Sequence, residues 1–135
     1  MNEQPEQRTR PLSPPLSPRL SIYRWHPGMI ASIAHRGSGL ILVLCAPLYL
    51  WLLHGMADNA ANFATVFDWL HSGMGKFSLW LAGVALVYHF CNGIRFLTMD
   101  AGWGESRARL RSSAKMVIAV SAVAALLLAG LLCIA

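Results

Sequence analysis

Charge is scarce in this chain: 13% of its 135 residues are Asp, Glu, Lys or Arg, against 56% hydrophobic. So few charges cannot cover a soluble domain of this size, which excludes an ordinary globular domain and points into a membrane. Cysteine is scarce too. Cys45, Cys91 and Cys133 are odd in number and fall in three separate apolar runs. They make neither a disulfide framework nor a CxxC metal site, and read as small apolar packing residues. The net charge of +5 comes from basic residues dispersed at the edges of apolar runs. No basic fold motif gathers them, so no nucleic-acid partner is expected. The first ten residues carry Glu3 and Glu6 with no apolar core close behind. They resemble neither a signal peptide nor a Ser-rich, acid-poor transit peptide.

What the chain does have is three long apolar runs, each about the 20 residues a bilayer requires of a helix. Spans are expected at 29–56, where the uncharged part begins at Gly37, at 77–97 and at 116–135. The predicted fold is an all-α integral membrane protein with three transmembrane helices and an N-terminal interfacial arm over 1–28. Within that arm Pro11-Leu12-Ser13-Pro14 is repeated at once as Pro15-Leu16-Ser17-Pro18, and its four prolines exclude helix. Leu20, Ile22, Tyr23 and Trp25 with Arg19 and Arg24 suit the headgroup level, and Pro27-Gly28 is expected to end the arm. In the loop over 57–76, Phe63, Val66, Phe67 and Leu70 fall at i, i+3, i+4 and i+7 beside Trp69, which predicts a short helix on the membrane surface.

Basic residues are asymmetric about the spans. Arg8, Arg10, Arg19, Arg24 and Arg36 precede or open the first, and Arg95, Arg107, Arg109, Arg111 and Lys115 end the second or fill the loop over 98–115. The loop over 57–76 has only Lys76. The positive-inside rule places the N-terminus and the 98–115 loop in the cytoplasm and the C-terminus outside, in the bacterial inner membrane the periplasm.

The most informative stretch is Tyr88-His89-Phe90-Cys91-Asn92-Gly93-Ile94-Arg95-Phe96-Leu97-Thr98-Met99-Asp100. An ionisable group inside a span is by default a functional-site hypothesis. His89, Gly93, Phe96 and Asp100 fall at i, i+4, i+7 and i+11, so an imidazole is followed one turn on by a residue with no side chain. One reading is a b-type haem lying against this stripe, ligated by His89. The other is a histidine that hydrogen-bonds a neighbouring helix, with Gly93 permitting close helix contact.

A second cluster, Ser32-Ile33-Ala34-His35-Arg36-Gly37-Ser38-Gly39, opens the first span on the same side. Ser32, Arg36 and Gly39 share a face. A hydroxyl and a guanidinium together can hydrogen-bond a quinone carbonyl, and the cation stabilises the charge that forms on reduction. The alternative is that His35 and Arg36 anchor the helix end by snorkelling.

The pattern Ser32-x-x-His35-Arg36-x-Ser38-Gly39, followed by His89-x-x-x-Gly93-Ile94-Arg95-Phe96-Leu97-x-Met99-Asp100, resembles the cytochrome b membrane-anchor subunit of succinate dehydrogenase, respiratory Complex II. Arg10-Pro11-Leu12-Ser13-Pro14 and Ser17-Pro18-Arg19-Leu20-Ser21-Ile22-Tyr23-Arg24 are similar to that family's N-terminal signature. Two departures stand out: the tandem repeat looks like a four-residue insertion, and Phe96 stands where many relatives have histidine. The resemblance implies haem b ligated by His89 and ubiquinone held by Ser32 and Arg36. It also implies a second small membrane-anchor subunit, an iron-sulfur subunit and a flavoprotein that oxidises succinate. In this reading the chain anchors and transfers electrons without itself making bonds, and His35 contacts a haem propionate. Arg95 and Asp100 serve either subunit docking or helix anchoring and capping.

Depth constrains the second axial ligand. His89 lies roughly 12 Å in from Leu97 at 1.5 Å per residue. His35 is expected at that end of the membrane, His54 near the other, and His26 and His71 outside the spans. Cys45 is near the right depth, but a thiolate would be unusual in a quinone-linked cytochrome. A six-coordinate haem is therefore expected to take its other ligand from the partner anchor. The competing functions are a haem-free quinone-binding anchor and a purely structural three-helix subunit.

Overall fold

A computed structural model describes residues 25–104 and 106–134. Most of the arm expected over 1–28, with its tandem repeat and Arg8, Arg10, Arg19 and Arg24, lies outside the described residues. Those described form four helices: α1 (Pro27–Asp58), α2 (Ala60–His71), α3 (Gly73–Asp100) and α4 (Arg107–Ile134). Of these α1, α3 and α4 are long and apolar enough to cross a membrane. The chain is an all-helical, multi-pass membrane protein, as its apolar runs predict.

The helix ends have local causes that shift them from the expected boundaries. Pro27 begins α1 rather than breaking the chain before it. At the first helical position proline has no useful N–H to lose, and its φ is already helical. The amides of Met29 and Ile30 donate to the His26 carbonyl at 3.0 and 3.2 Å. The loop expected over 98–115 shrinks to 101–106. The amides of Gly102 and Trp103 reach back to the carbonyls of Met99 and Thr98, at 2.9 and 3.0 Å. This Schellman-type closure requires the left-handed backbone that Gly102 supplies at φ +80°. Beyond it, Ser106 accepts from the Arg109 amide at 3.4 Å, and the strong helix formers after it carry the basic residues onto the first turns of α4.

Single polar residues cap the other corner. Asn59 accepts from the Asn62 amide at 2.8 Å to start α2, and Ser72 accepts from the Gly75 amide at 3.2 Å to start α3. Gly75 cannot be replaced freely, because a Cβ there would fall 2.7 Å from the Leu70 Cα. The predicted stripe of α2 divides. Val66 is buried against α1 near Gly55 while Phe63 and Phe67 stay exposed, because a 12-residue helix crossing a corner meets the bundle along only part of its apolar face.

α3 packs against all three other helices, and α1 also meets α4. The seams are lined by small residues, with Ala31, Ser38, Ala85, Ala114 and Ser121 buried. Large side chains such as Leu44, Leu50, Trp51, Leu126 and Leu131 point outward. Lipid offers apolar side chains no reason to turn inward, so the helices associate by close backbone approach and interhelical hydrogen bonds. Two of these are Tyr49 Oη to Ser78 Oγ at 3.1 Å and Trp80 Nε1 to the Ala125 carbonyl at 2.9 Å.

Candidate functional site

The polar interior lies between α1 and α3, toward the end where α1 starts. His89 of α3 and His35 of α1 stack face to face, with 4.1 Å between ring centroids and 9° between planes. The expected difference in depth between them is corrected here. α1 begins at Pro27, eight residues and about 12 Å before His35, so His35 lies as far into the bundle as His89 does.

The hydrogen bonds around His89 decide its tautomer. Ser38 Oγ donates to the His35 carbonyl at 2.7 Å, which uses its one proton. His89 Nδ1 lies 3.2 Å from that hydroxyl oxygen and 3.2 Å from the same carbonyl. Both neighbours can only accept, so Nδ1 carries the proton and Nε2 keeps the lone pair. A backbone carbonyl on the far nitrogen is the usual second partner of a metal-binding histidine. His35 covers one face of the ring, whereas the Nε2 lone pair lies in the ring plane, so the stack leaves the coordinating edge open.

Two glycines permit this packing. A Cβ on Gly39 would meet His89 Cε1 at 3.0 Å, and one on Gly93 would lie 3.7 Å from His35 Nε2. Gly93 thus leaves room that the His35 ring fills. His35 Nε2 is buried and has no hydrogen-bond partner among the described residues. Phe96 closes the group edge-on to His35, 5.2 Å between centroids, with the Arg95 guanidinium 5.5 Å from its own ring centre. Phe96 thus offers an aromatic platform to the cation beside it.

Ser32 and Arg36 occupy the neighbouring stripe of α1. Ser32 is half-buried and Arg36 exposed, so the structure does not join them to the His89 cluster through any side-chain hydrogen bond among the described residues. Arg36 faces outward from this chain one residue beyond His35, with Ser32 partly covered one turn before it. Of the other candidates, His54 lies 19 residues further along α1, about 28 Å away, and His71 is exposed on α2.

Three residues that the sequence did not single out for a role complete the site. Tyr88 Oη and Asn92 Nδ2 both donate to the Ala31 carbonyl at 3.0 Å, and Asn92 Oδ1 accepts from Arg95 at 3.4 Å. Ser38 is the third, through its contact with His89. Tyr88, Asn92 and Arg95 fall at i, i+4 and i+7, a polar stripe beside the His89 stripe, and that spacing is the signal that could have revealed them. Among the described residues no three His, Cys, Asp or Glu side chains converge as a metal site made by this chain alone. The donor set suits a group that needs one axial imidazole from here.

Residues 8–128 match the family model described as succinate dehydrogenase/fumarate reductase transmembrane subunit. The chain is 39% identical to the succinate dehydrogenase cytochrome b556 subunit of Coxiella burnetii over 117 residues, 86% of this chain and 93% of that one. It is 37% identical to the cytochrome b556 subunit of Paracoccus denitrificans over 114 residues, 84% and 87% of the two chains. It is 32% identical to the mitochondrial cytochrome b560 subunit of Bos taurus over 127 residues, 89% and 72%. The matched segment holds α1, α3, most of α4 and both histidines of the stack, and the chain belongs to the succinate dehydrogenase/fumarate reductase transmembrane subunit family, among its cytochrome b anchors.

Proposed function

We propose that this chain is the haem b-binding anchor of a succinate:quinone oxidoreductase. In this role it holds an iron-sulfur subunit and a flavoprotein on the membrane, beside a second small anchor subunit, and helps form the site where ubiquinone is reduced. The observation that carries the reading is the position of His89 Nδ1, 3.2 Å from both Ser38 Oγ and the His35 carbonyl, a setting that suits a proton on Nδ1 and a free donor at Nε2. Haem b, when bound, supplies a one-electron redox centre. His89 would be its one axial ligand from this chain. His35 meets His89 ring face to ring face rather than nitrogen to nitrogen, so this chain would hold the haem iron through His89 alone and the partner anchor would supply the other ligand. His35 Nε2, buried with no hydrogen-bond partner among the described residues, would donate to a haem propionate through its N–H.

The chain's own part in quinone chemistry is electrostatic. The Ser32 hydroxyl would donate to a quinone carbonyl oxygen, and Arg36 would stabilise the negative charge that grows there as electrons arrive. Arg36 is exposed and Ser32 partly so, which suits a site completed by other subunits. The orientation that fits the basic residues puts the start of α1, the α3–α4 turn and this quinone cluster on the cytoplasmic side of a bacterial inner membrane, with the C-terminus periplasmic.

The test is a reduced-minus-oxidised absorption spectrum of the purified complex, with its subunits identified. A b-type spectrum in a complex holding a flavoprotein and an iron-sulfur protein is expected. Quinone reduction without that spectrum would leave a haem-free quinone-binding anchor, and absence of both would leave a structural subunit.

A further inference from the structure

A cleft of about 440 Å³ opens at the end of the bundle where α1 and α4 begin and α3 ends. Three guanidiniums face it, those of Arg95, Arg107 and Arg111, with His26 beside them, and among the described residues no acidic side chain lines it. Met29, Phe96, Met99 and Leu110 make the rest of the wall largely apolar.

Arg95 is the distinctive member. It is 7% exposed, yet its bonds go to neutral acceptors: Ser113 Oγ at 3.0 Å, Asn92 Oδ1 at 3.4 Å and the Leu110 carbonyl at 3.3 Å. A guanidinium has five N–H groups, so two remain. Among the described residues no carboxylate pairs with it. A buried charge in this position is stabilised by an anion that uses the remaining donors. Arg107 and Arg111, one turn apart on α4, are exposed and bring two further guanidiniums to the same cleft. The positive end of the α1 dipole faces it as well.

We propose that this cleft binds the phosphate of an anionic phospholipid. Three guanidiniums suit a group with several acceptor oxygens. The apolar wall distinguishes a lipid from a free ion, because only a lipid brings acyl chain to cover Met29, Met99 and Leu110 while its phosphate meets the arginines. The cleft lies at the ends of the spanning helices, the level at which headgroups sit. The site is separate from Ser32, Arg36 and His89 and does not rest on their assignment.

The experiment uses the protein purified with the subunits that accompany it. Wild type, Arg107→Gln/Arg111→Gln and Lys115→Gln are washed in detergent, and retained phospholipid is identified and counted by mass spectrometry. Wild type and the Lys115 variant should retain an anionic phospholipid, and the double variant should bind added phosphatidylglycerol about thirtyfold more weakly. In wild type, phosphatidylglycerol should raise the thermal midpoint, and neither phosphatidylcholine nor inorganic phosphate should match it. A photoactivatable phosphatidylglycerol should label peptides containing Met99 or Leu110, an arm that holds even if the double variant fails to assemble. Equal retention by the double variant, or labelling elsewhere, overturns the site. An equal shift with inorganic phosphate makes it a bare anion site, and loss of soluble subunits with lipid retained makes it a docking face. Either result overturns the lipid assignment.

Discussion

His35 and His89 stand ring to ring across the α1–α3 seam, 4.1 Å apart, and of the two only His89 has a ring nitrogen within hydrogen-bond distance of a partner among the described residues. The two are therefore expected to behave differently on removal. In the purified complex His89→Ala should abolish the low-spin haem signal in low-temperature electron paramagnetic resonance, or leave a weakly held five-coordinate haem. His35→Ala should keep bis-histidine coordination with a shifted potential, since a neighbour tunes a haem without ligating it. His54→Ala should change neither. An intact bis-histidine signal in His89→Ala would refute the ligand assignment.

Ser38 acts on the same ring from outside the coordination position. Ser38→Ala removes one of the two acceptors on Nδ1 and leaves the His35 carbonyl as the other. Haem retention should fall by roughly tenfold, the low end for second-partner loss at a metal-binding histidine, and Ser38→Thr should restore part of it. Haem titration into the stripped complex reads this directly. Unchanged retention with unchanged spectra would mean that the carbonyl alone orients the ring.

At the quinone cluster, Arg36→Leu should impair succinate-driven ubiquinone reduction and spare electron delivery to a soluble dye. Its charge is needed only as the quinone accepts electrons. Ser32→Ala should act in the same direction and more weakly where a water replaces the hydroxyl. Comparing the two acceptors decides the matter: equal loss of dye reduction would point to failed assembly.

Asn92 ties α3 to α1 by bonding the Ala31 carbonyl, and accepts from Arg95, which itself reaches Ser113 and Leu110 of α4. Asn92→Leu would leave buried groups short of a partner, at a cost of about 1–3 kcal/mol. The complex should lose thermal stability while α1 to α4 remain helical by circular dichroism. An unchanged midpoint would show that Tyr88 alone holds the seam.

Orientation is open to a fusion experiment. Ten of the eleven basic residues, all but Lys76, precede or open the first span or lie between Arg95, near the end of α3, and Lys115. Alkaline phosphatase fused at the C-terminus should be active, and fused after Arg111 inactive. The reverse pattern would place the quinone cluster on the periplasmic side.

Sequence by itself determined the three spanning helices, because span length and apolar composition are set by the bilayer whatever the helices pack against. It also singled out His89, since an imidazole inside such a run needs a partner. It did not decide that partner. An estimate of depth counted from the apolar run put His35 at the membrane edge, but Pro27 starts α1 two turns earlier and the α1–α3 register then brings the rings together. The tautomer of His89 likewise depends on Ser38 and a carbonyl 54 residues away in the chain, which no local pattern encodes. Arg95 shows the same division: its charge at a helix end is legible in sequence, whereas its burial among neutral acceptors arises only where α3 and α4 pack. Periodicity assigns a residue to a face of its own helix, and only helix packing decides what that face meets.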